Sequence, residues 1–85
     1  MKTGKTGSQY PAYILARVIR LRREKNLSQE AVAGYLQVTQ QTYSSYERGE
    51  IRMHIKEFVR LARLFNVSVD FITGASNLRN DFPRF

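Results

Sequence analysis

Cysteine is absent from this 85-residue sequence, which excludes both a disulfide framework and a thiolate metal site. The apolar runs extend for only a few residues, far below the roughly 20 needed to cross a bilayer. The first ten residues are polar and do not resemble a signal peptide. The length leaves room for one domain. These absences predict a single soluble domain in a reducing cytoplasm.

Groups that could carry catalysis or hold a metal are also scarce. His54 is the only histidine, and no second ligand stands at metal-binding spacing from it, so we interpret it as the residue that begins a helix. The sequence contains no nucleophile–base arrangement, no phosphate-binding glycine loop and no carboxylate pair. We therefore expect neither enzymatic activity nor a cofactor.

Positive charge, by contrast, is abundant. Fourteen Lys and Arg residues stand against seven acidic ones, a formal net charge of +7. Such an excess creates a surface field that attracts polyanions, of which nucleic acid is the first candidate and an acidic membrane the second. A positive charge can also serve solubility alone, so the position of the charges has to decide between these interpretations.

The chain divides into an arm, a helical region and a tail. Residues 1–10 contain two glycines, two lysines and no hydrophobic period, which is typical of a flexible basic arm. Residues 11–75 are expected to form the domain, and residues 76–85 a tail. Three apolar side chains of the tail could pack back on the domain, contact a partner subunit or remain free; they are Leu78, Phe82 and Phe85.

Helical periodicity and capping signals predict five helices and no strand. Apolar residues recur at helical spacing after Pro11, and Asn26 can end this first helix in a left-handed conformation. A second pattern consists of an apolar residue, then Ser or Thr, and then another apolar residue four positions after that hydroxyl. The hydroxyl can cap a helix, and the two apolar side chains can pack together as a hydrophobic staple. This pattern predicts helix starts at Ser28, Thr39 and Ser68, and amphipathic spacing predicts a further helix over 55–65.

The second and third helices, over 28–36 and 39–48, are joined by only about three residues, as in a helix-turn-helix. At roughly 100° per residue, Tyr43 and Tyr46 fall on one side of the third helix. The other side carries amide, hydroxyl and arginine groups of the kind that read base edges, namely Gln40, Gln41, Ser44, Ser45 and Arg48. The two glutamines could equally be ordinary soluble residues at a helix start.

Three stretches carry a resemblance to a known family: LRREKNLSQEAVAGYL, VTQQTYSSYERGE and LARLFNVSVDFITG. In this order, over about residues 17–74, the sequence resembles the Cro/CI-type helix-turn-helix repressors, also called XRE-like or HTH-3, and especially short phage and prophage regulators. The resemblance implies an all-α, compact five-helix lambda-repressor-like DNA-binding domain with the helix-turn-helix at helices 2 and 3. It also implies a cytoplasmic protein of a bacterial cell or its phage.

The resemblance assigns roles within the motif. It implies that Gln40, Gln41 and Ser45 face base edges, and Ser44 shares their side of the predicted helix. It implies that Gln29, at a helix N-terminus that favours phosphate, contacts the DNA backbone and braces Gln40. It further implies a structural ion pair between Arg22 and Glu47. The remaining candidate phosphate contacts are Thr39, Arg48 and Arg52, although a solvated loop would also explain the two arginines.

Two residues depart from the family pattern. Gln37 stands where the turn between helices 2 and 3 usually has glycine, so it must adopt a left-handed conformation at about 1 kcal/mol or the turn must adjust. Tyr43 stands where Ile or Leu is common, and its hydroxyl needs a partner if it is fully enclosed, a demand that Tyr46 could share.

The combined interpretation is a sequence-specific regulator of transcription, a repressor that binds an inverted repeat in double-stranded DNA as a homodimer. One alternative is an antitoxin that also binds a toxin. Another is an adaptor whose helices 4–5 or tail bind a protein such as polymerase, with DNA contact secondary. No membrane partner is expected.

Overall fold

The computed structural model describes residues 12–83, and these residues contain five helices and no strand. The helices are α1 (Ala12–Glu24), α2 (Gln29–Leu36), α3 (Gln40–Glu47), α4 (Ile55–Phe65) and α5 (Val69–Thr73). The all-α prediction with five helices is therefore confirmed. The predicted basic arm and Phe85 lie outside the described residues.

The three predicted hydroxyl caps all begin their helices. In each case the side-chain oxygen accepts from the backbone N–H three residues further on, at 3.0 or 3.1 Å, in the pairs Ser28 with Ala31, Thr39 with Thr42, and Ser68 with Phe71. His54 precedes α4, as expected, and its backbone N–H donates to the Glu57 carboxylate at 2.8 Å. These bonds satisfy amide groups that the first turn of a helix leaves without intrahelical partners.

Three helices end in the same left-handed turn. Asn26, Gln37 and Asn66 have φ angles of 57°, 62° and 56°. After α2, the N–H of Gln37 bonds to the Gly34 carbonyl and that of Val38 to the Ala33 carbonyl, which is the Schellman pattern. Of the two outcomes that the sequence allowed, Gln37 itself adopts the left-handed conformation.

The core lies where α1 crosses between the helix-turn-helix unit and the α4–α5 pair. α1 packs against α3 on one side and α5 on the other, while α2 contacts both α3 and α4. The largest side chains with under 2% exposure are Tyr43, Phe65, Ile14, Leu21, Met53, Leu61 and Ile72. Burial of side chains of this size contributes about 1.5–3 kcal/mol each. This shared core fixes the orientation of α3 relative to the rest of the domain.

Part of the tail packs back on the domain, whereas Leu78 is 69% exposed. The Ser68 N–H donates to the Asn80 carbonyl at 2.7 Å, and the Phe82 ring is partly buried with the Arg63 guanidinium 5.3 Å above it. Arg79 forms a bidentate pair with Glu24 of α1 at 2.6 and 3.2 Å. These contacts bring the tail against α1 and the α4–α5 junction.

A loop glycine adapts the end of α5 to this packing. Gly74 ends α5 at a φ of 87°, and a Cβ there would overlap the Ile14 side chain. A larger residue is therefore disfavoured at this position by both conformation and space.

Within residues 12–83 no helix is both long and apolar enough to cross a bilayer. The same residues bring together no group of three or more His, Cys, Asp or Glu side chains that could hold a metal ion.

Candidate nucleic-acid interface

The α2–α3 unit has the geometry that its capping pattern predicts. Residues 37–39 alone separate the two helices. Within them the chain turns through the left-handed Gln37 and then extends at Thr39, which has φ −71° and ψ 157°. Val38, between these two residues, is partly buried against the core and anchors the turn. The structure therefore forms a helix-turn-helix.

The two sides of α3 differ in burial as predicted. Tyr43 is 0% and Tyr46 7% exposed, with their rings edge-to-face at a centroid distance of 6.3 Å. Gln40 and Gln41 are exposed at the N-terminus of the helix, and Ser44 and Ser45 are partly exposed one turn later. This solvent-facing set of Gln40, Gln41, Ser44, Ser45 and Arg48 is called the α3 polar face below.

The structure brings Arg22 of α1 and Glu47 of α3 together. The Arg22 Nε donates to Glu47 Oε2 at 2.6 Å and Nη2 donates to Oε1 at 3.1 Å. The two side chains are only 12% and 5% exposed, and Arg22 also donates to the Leu27 carbonyl at 3.0 Å. A bidentate pair of this kind fixes two side chains in one relative orientation. It ties the end of α3 to α1 and so sets the direction of the α3 polar face.

The environment of this pair keeps Glu47 ionised. Burial by itself would raise the pKa of the Glu47 carboxyl, but hydrogen bonding to Arg22, with further contributions from Tyr43 and Gln29, lowers it below the ordinary value of 4.5. In turn, the hydrogen bonds that Arg22 donates to Glu47 raise the pKa of Arg22. Both partners are therefore charged at neutral pH.

Gln29 has a different partner from the one that the family resemblance implied. Its amide Nε2 donates to Glu47 Oε1 at 2.9 Å, whereas we expected it to brace Gln40. A carboxylate is a stronger acceptor than a neutral carboxamide, which accounts for this preference. Gln29 thus belongs to the buried network behind α3 in the free protein. Its expected contact with phosphate stays a prediction.

The Tyr43 hydroxyl does not find the partner that we expected it to need. Within residues 12–83 it makes no bond of normal hydrogen-bond geometry, and Tyr46 offers it none. Burial, and then the adjacent Glu47 carboxylate, raise the pKa of this hydroxyl, so it stays protonated. The core accommodates the larger aromatic residue, and its buried hydroxyl lies beside the Glu47 carboxylate without a hydrogen bond of normal geometry.

Within the α3 polar face, Arg48 pairs with a residue that the sequence pattern did not single out, Glu50. The Arg48 Nε and Nη2 each donate to one oxygen of Glu50 at 2.9 Å. Arg48 also donates to the Ser44 hydroxyl through Nη1 and to the Ser45 hydroxyl through Nη2, the latter at 3.3 Å. The turn that permits this contact passes through Gly49 at a φ of 74°. The sequence signal that could have predicted this pair is an acidic residue two positions after an arginine, with a glycine between them.

The other two candidate phosphate contacts, Thr39 and Arg52, lie before and after α3. The Thr39 hydroxyl accepts from the Thr42 N–H and donates to the Thr42 hydroxyl, each at 3.0 Å, so it caps the helix in the free protein. Arg52 is exposed in the loop between α3 and α4. Contact of either residue with phosphate stays a prediction.

Residues 18–72 match the family model HTH_3, which is described as helix-turn-helix. The chain belongs to this family. The match covers the motif, the Arg22–Glu47 pair and all of α4, so the HTH_3 assignment rests on the same elements that build the α3 polar face. No solved structure gives a significant match.

Three curated relatives of this HTH_3 chain come from Bacillus subtilis (strain 168). The SPbeta prophage-derived uncharacterized HTH-type transcriptional regulator YonR is 31% identical over 76% of the chain, and the HTH-type transcriptional regulator AnsR is 31% identical over 82%. The uncharacterized HTH-type transcriptional regulator YobD is 33% identical over 72%. The chain spans 60%, 60% and 54% of the lengths of these relatives.

Proposed function

We propose that this HTH_3 chain is a DNA-binding regulator of transcription that reads a short sequence in the major groove through the α3 polar face. The observation that carries the proposal is that Gln40 and Gln41 stand exposed at the start of a helix whose direction is fixed by the buried Arg22–Glu47 pair. The three curated relatives are named as HTH-type transcriptional regulators, which supports the same class.

The α3 polar face has the chemistry for direct readout. A carboxamide can donate to and accept from the major-groove edge of adenine at the same time, and hydroxyl groups can pair with several bases. From Gln40 to Ser44 the helix rises by about 6 Å, which is close to the roughly 6.8 Å that three stacked base pairs span. Gln40, Gln41, Ser44 and Ser45 therefore match a short run of base edges along one groove.

Phosphate contacts would flank this set. Gln29 and Thr39 stand at the N-termini of α2 and α3, where free amide groups and the helix dipole favour an anion. Arg48 and Arg52 lie beyond the other end of α3. Together with the net charge of +7, these groups supply the nonspecific part of the affinity.

An α3 of eight residues can contact only a few base pairs, so a single copy has limited affinity and specificity. A homodimer on an inverted repeat would double the contacts and place half-sites about 34 Å apart, or a multiple of that distance. Occupation of such a site near a promoter would repress transcription in the cytoplasm of a bacterial or phage-infected cell.

The experiment is selection of bound duplexes from a random pool, followed by titration of the enriched duplex at several salt concentrations. The expected result is a palindromic motif and a log affinity that falls by about 0.9 per phosphate neutralised as log salt rises. A double variant, Gln40→Ala with Gln41→Ala, should fold normally and lose the motif. Enrichment of no motif by the unaltered protein, or an affinity independent of salt, would contradict the proposal.

A further inference from the structure

We propose that Glu50 is a positioning residue for specificity, which holds Arg48 over Ser44 and Ser45 and thereby limits its contact with DNA phosphates. The inference rests on the proposed function, because it concerns how the α3 polar face distinguishes a preferred sequence from other DNA. Glu50 is acidic, although it lies at the edge of the α3 polar face, a surface otherwise suited to a polyanion.

The geometry of the Glu50 pair fixes the whole Arg48 guanidinium. Glu50 accepts from two Arg48 donors, Nε and Nη2, at 2.9 Å each. A bidentate pair of this kind sets the plane of the guanidinium. In that plane the Nη1 and Nη2 donors reach the Ser44 and Ser45 hydroxyl oxygens. Glu50 thus determines where the remaining Arg48 donors point.

This arrangement makes the Ser44 hydroxyl a hydrogen-bond donor toward DNA. Since its oxygen accepts from Arg48, its own hydrogen is left to donate, and it can pair with acceptors such as guanine O6 and N7 or thymine O4. Ser45 stands within reach of both charged partners, and its hydroxyl contributes to lowering the pKa of Glu50, after the larger effect of Arg48. The four residues form one cluster on the α3 polar face.

The ion pair between Arg48 and Glu50 is also weak enough for a DNA phosphate to replace Glu50. Its side chains are 52% and 56% exposed, and ion pairs at such positions contribute little to stability. A phosphate can therefore displace Glu50, but it then sits beside a released carboxylate of the same sign. Random DNA is bound almost entirely through phosphates, so the contribution of Arg48 to its binding is reduced, whereas a preferred sequence still gains base contacts from the cluster.

The test compares Glu50→Gln with Asp81→Asn, an exposed tail residue whose substitution changes the net charge equally. On a random duplex, Glu50→Gln should bind about two- to fivefold more tightly than Asp81→Asn, as expected for loss of one exposed ion pair. The slope of log affinity against log salt should steepen by up to about 0.9, the value for one full phosphate contact, as Arg48 is released from Glu50. The ratio of preferred to random affinity should fall. Equal behaviour of the two variants would overturn the proposal.

A double-mutant cycle with Arg48→Ala separates positioning from simple repulsion of DNA by the Glu50 charge. If Glu50 acts through Arg48, then Glu50→Gln in the Arg48→Ala background should match Asp81→Asn in that background. If Glu50→Gln still gains its full affinity for the random duplex when Arg48 is absent, the proposal is overturned in favour of direct repulsion between Glu50 and DNA. Loss of preferred-site affinity with no gain on random DNA would overturn it in favour of a base contact by Glu50.

The random-duplex measurements need no preferred sequence, which keeps this proposal distinct from the proposed function. If the unaltered protein binds all duplexes alike while the coupling between Arg48 and Glu50 persists, sequence reading fails and the control of Arg48 by Glu50 stands. Absence of binding to any duplex would contradict both.

Discussion

Substitution of Glu47 by alanine perturbs the contact that holds α3 against α1. Glu47 accepts two hydrogen bonds from Arg22, at 2.6 and 3.1 Å, and one from Gln29 at 2.9 Å. Its removal leaves the Arg22 guanidinium, only 12% exposed, without its counter-charge. A buried charge that loses its partner costs more than the intact pair contributes, because its desolvation is no longer offset.

The expected loss of unfolding free energy is about 3 kcal/mol, the lower end of the range for breaking a buried pair. Domains of this size have total stabilities of about 5–15 kcal/mol, so the variant should remain mostly folded but be visibly weakened. For a domain of this length, the loss corresponds to a decrease in Tm of about 12–24 °C. Arg22→Ala should destabilise by a similar amount, and the double variant should lose less than the sum by about 1–3 kcal/mol.

The assay is urea unfolding followed by helical circular dichroism on the two single variants and the double variant. Glu24→Ala provides a matched control, because the Glu24–Arg79 pair is also bidentate but has side chains 37% and 45% exposed. This control should lose far less stability than Glu47→Ala. Strict additivity of the Arg22 and Glu47 substitutions, or an equal loss in Glu24→Ala, would refute the reasoning.

Three further predictions concern stability. The lowered pKa of Glu47 means that its contribution is complete above the ordinary value of 4.5 and is lost as pH falls through the lower folded-state pKa, so Glu47→Gln should flatten the acid limb of a stability–pH curve. Tyr43→Phe should raise the unfolding free energy by about 1 kcal/mol in urea titrations, since it removes a buried hydroxyl that has no hydrogen bond of normal geometry; a comparable decrease would show that the interaction of this hydroxyl with the Glu47 carboxylate stabilises the fold. Gln37→Gly should raise it by roughly 1 kcal/mol, because the residue is left-handed, and a decrease would show that the Gln37 side chain stabilises the turn.

The placement of the helices follows from local signals that act over a few residues. Ser28, Thr39 and Ser68 begin helices because each can accept from the amide three positions later, and that geometry depends on the local backbone alone. The inward side of α3 follows from helical periodicity, which places Tyr43 and Tyr46 together. The family resemblance added the Arg22–Glu47 pairing, which joins residues 25 positions apart and which periodicity does not reveal.

The details that differ from expectation involve a choice among side-chain partners. The amide of Gln29 donates to Glu47, whose charged carboxylate is a stronger acceptor than a neutral carboxamide. The pairing of Arg48 with Glu50 depends on the positive φ of Gly49, and the sequence pattern gave no weight to a surface charge next to a turn. The direction of the tail depends on bonds between residues far apart, such as Arg17 Nη2 to Asn77 Oδ1 at 3.2 Å.

The central claim is that α3 reads base edges, and titration of Gln40→Ala and Gln41→Ala on the selected duplex and on a random duplex tests it most directly. Each substitution should cost about 1–3 kcal/mol on the selected duplex and almost nothing on the random one. Arg52→Ala, expected to contact only phosphate, should weaken both complexes alike and reduce the salt slope by about one. If the two glutamine variants stay folded and keep full discrimination, α3 does not read DNA through these residues and the claim is wrong.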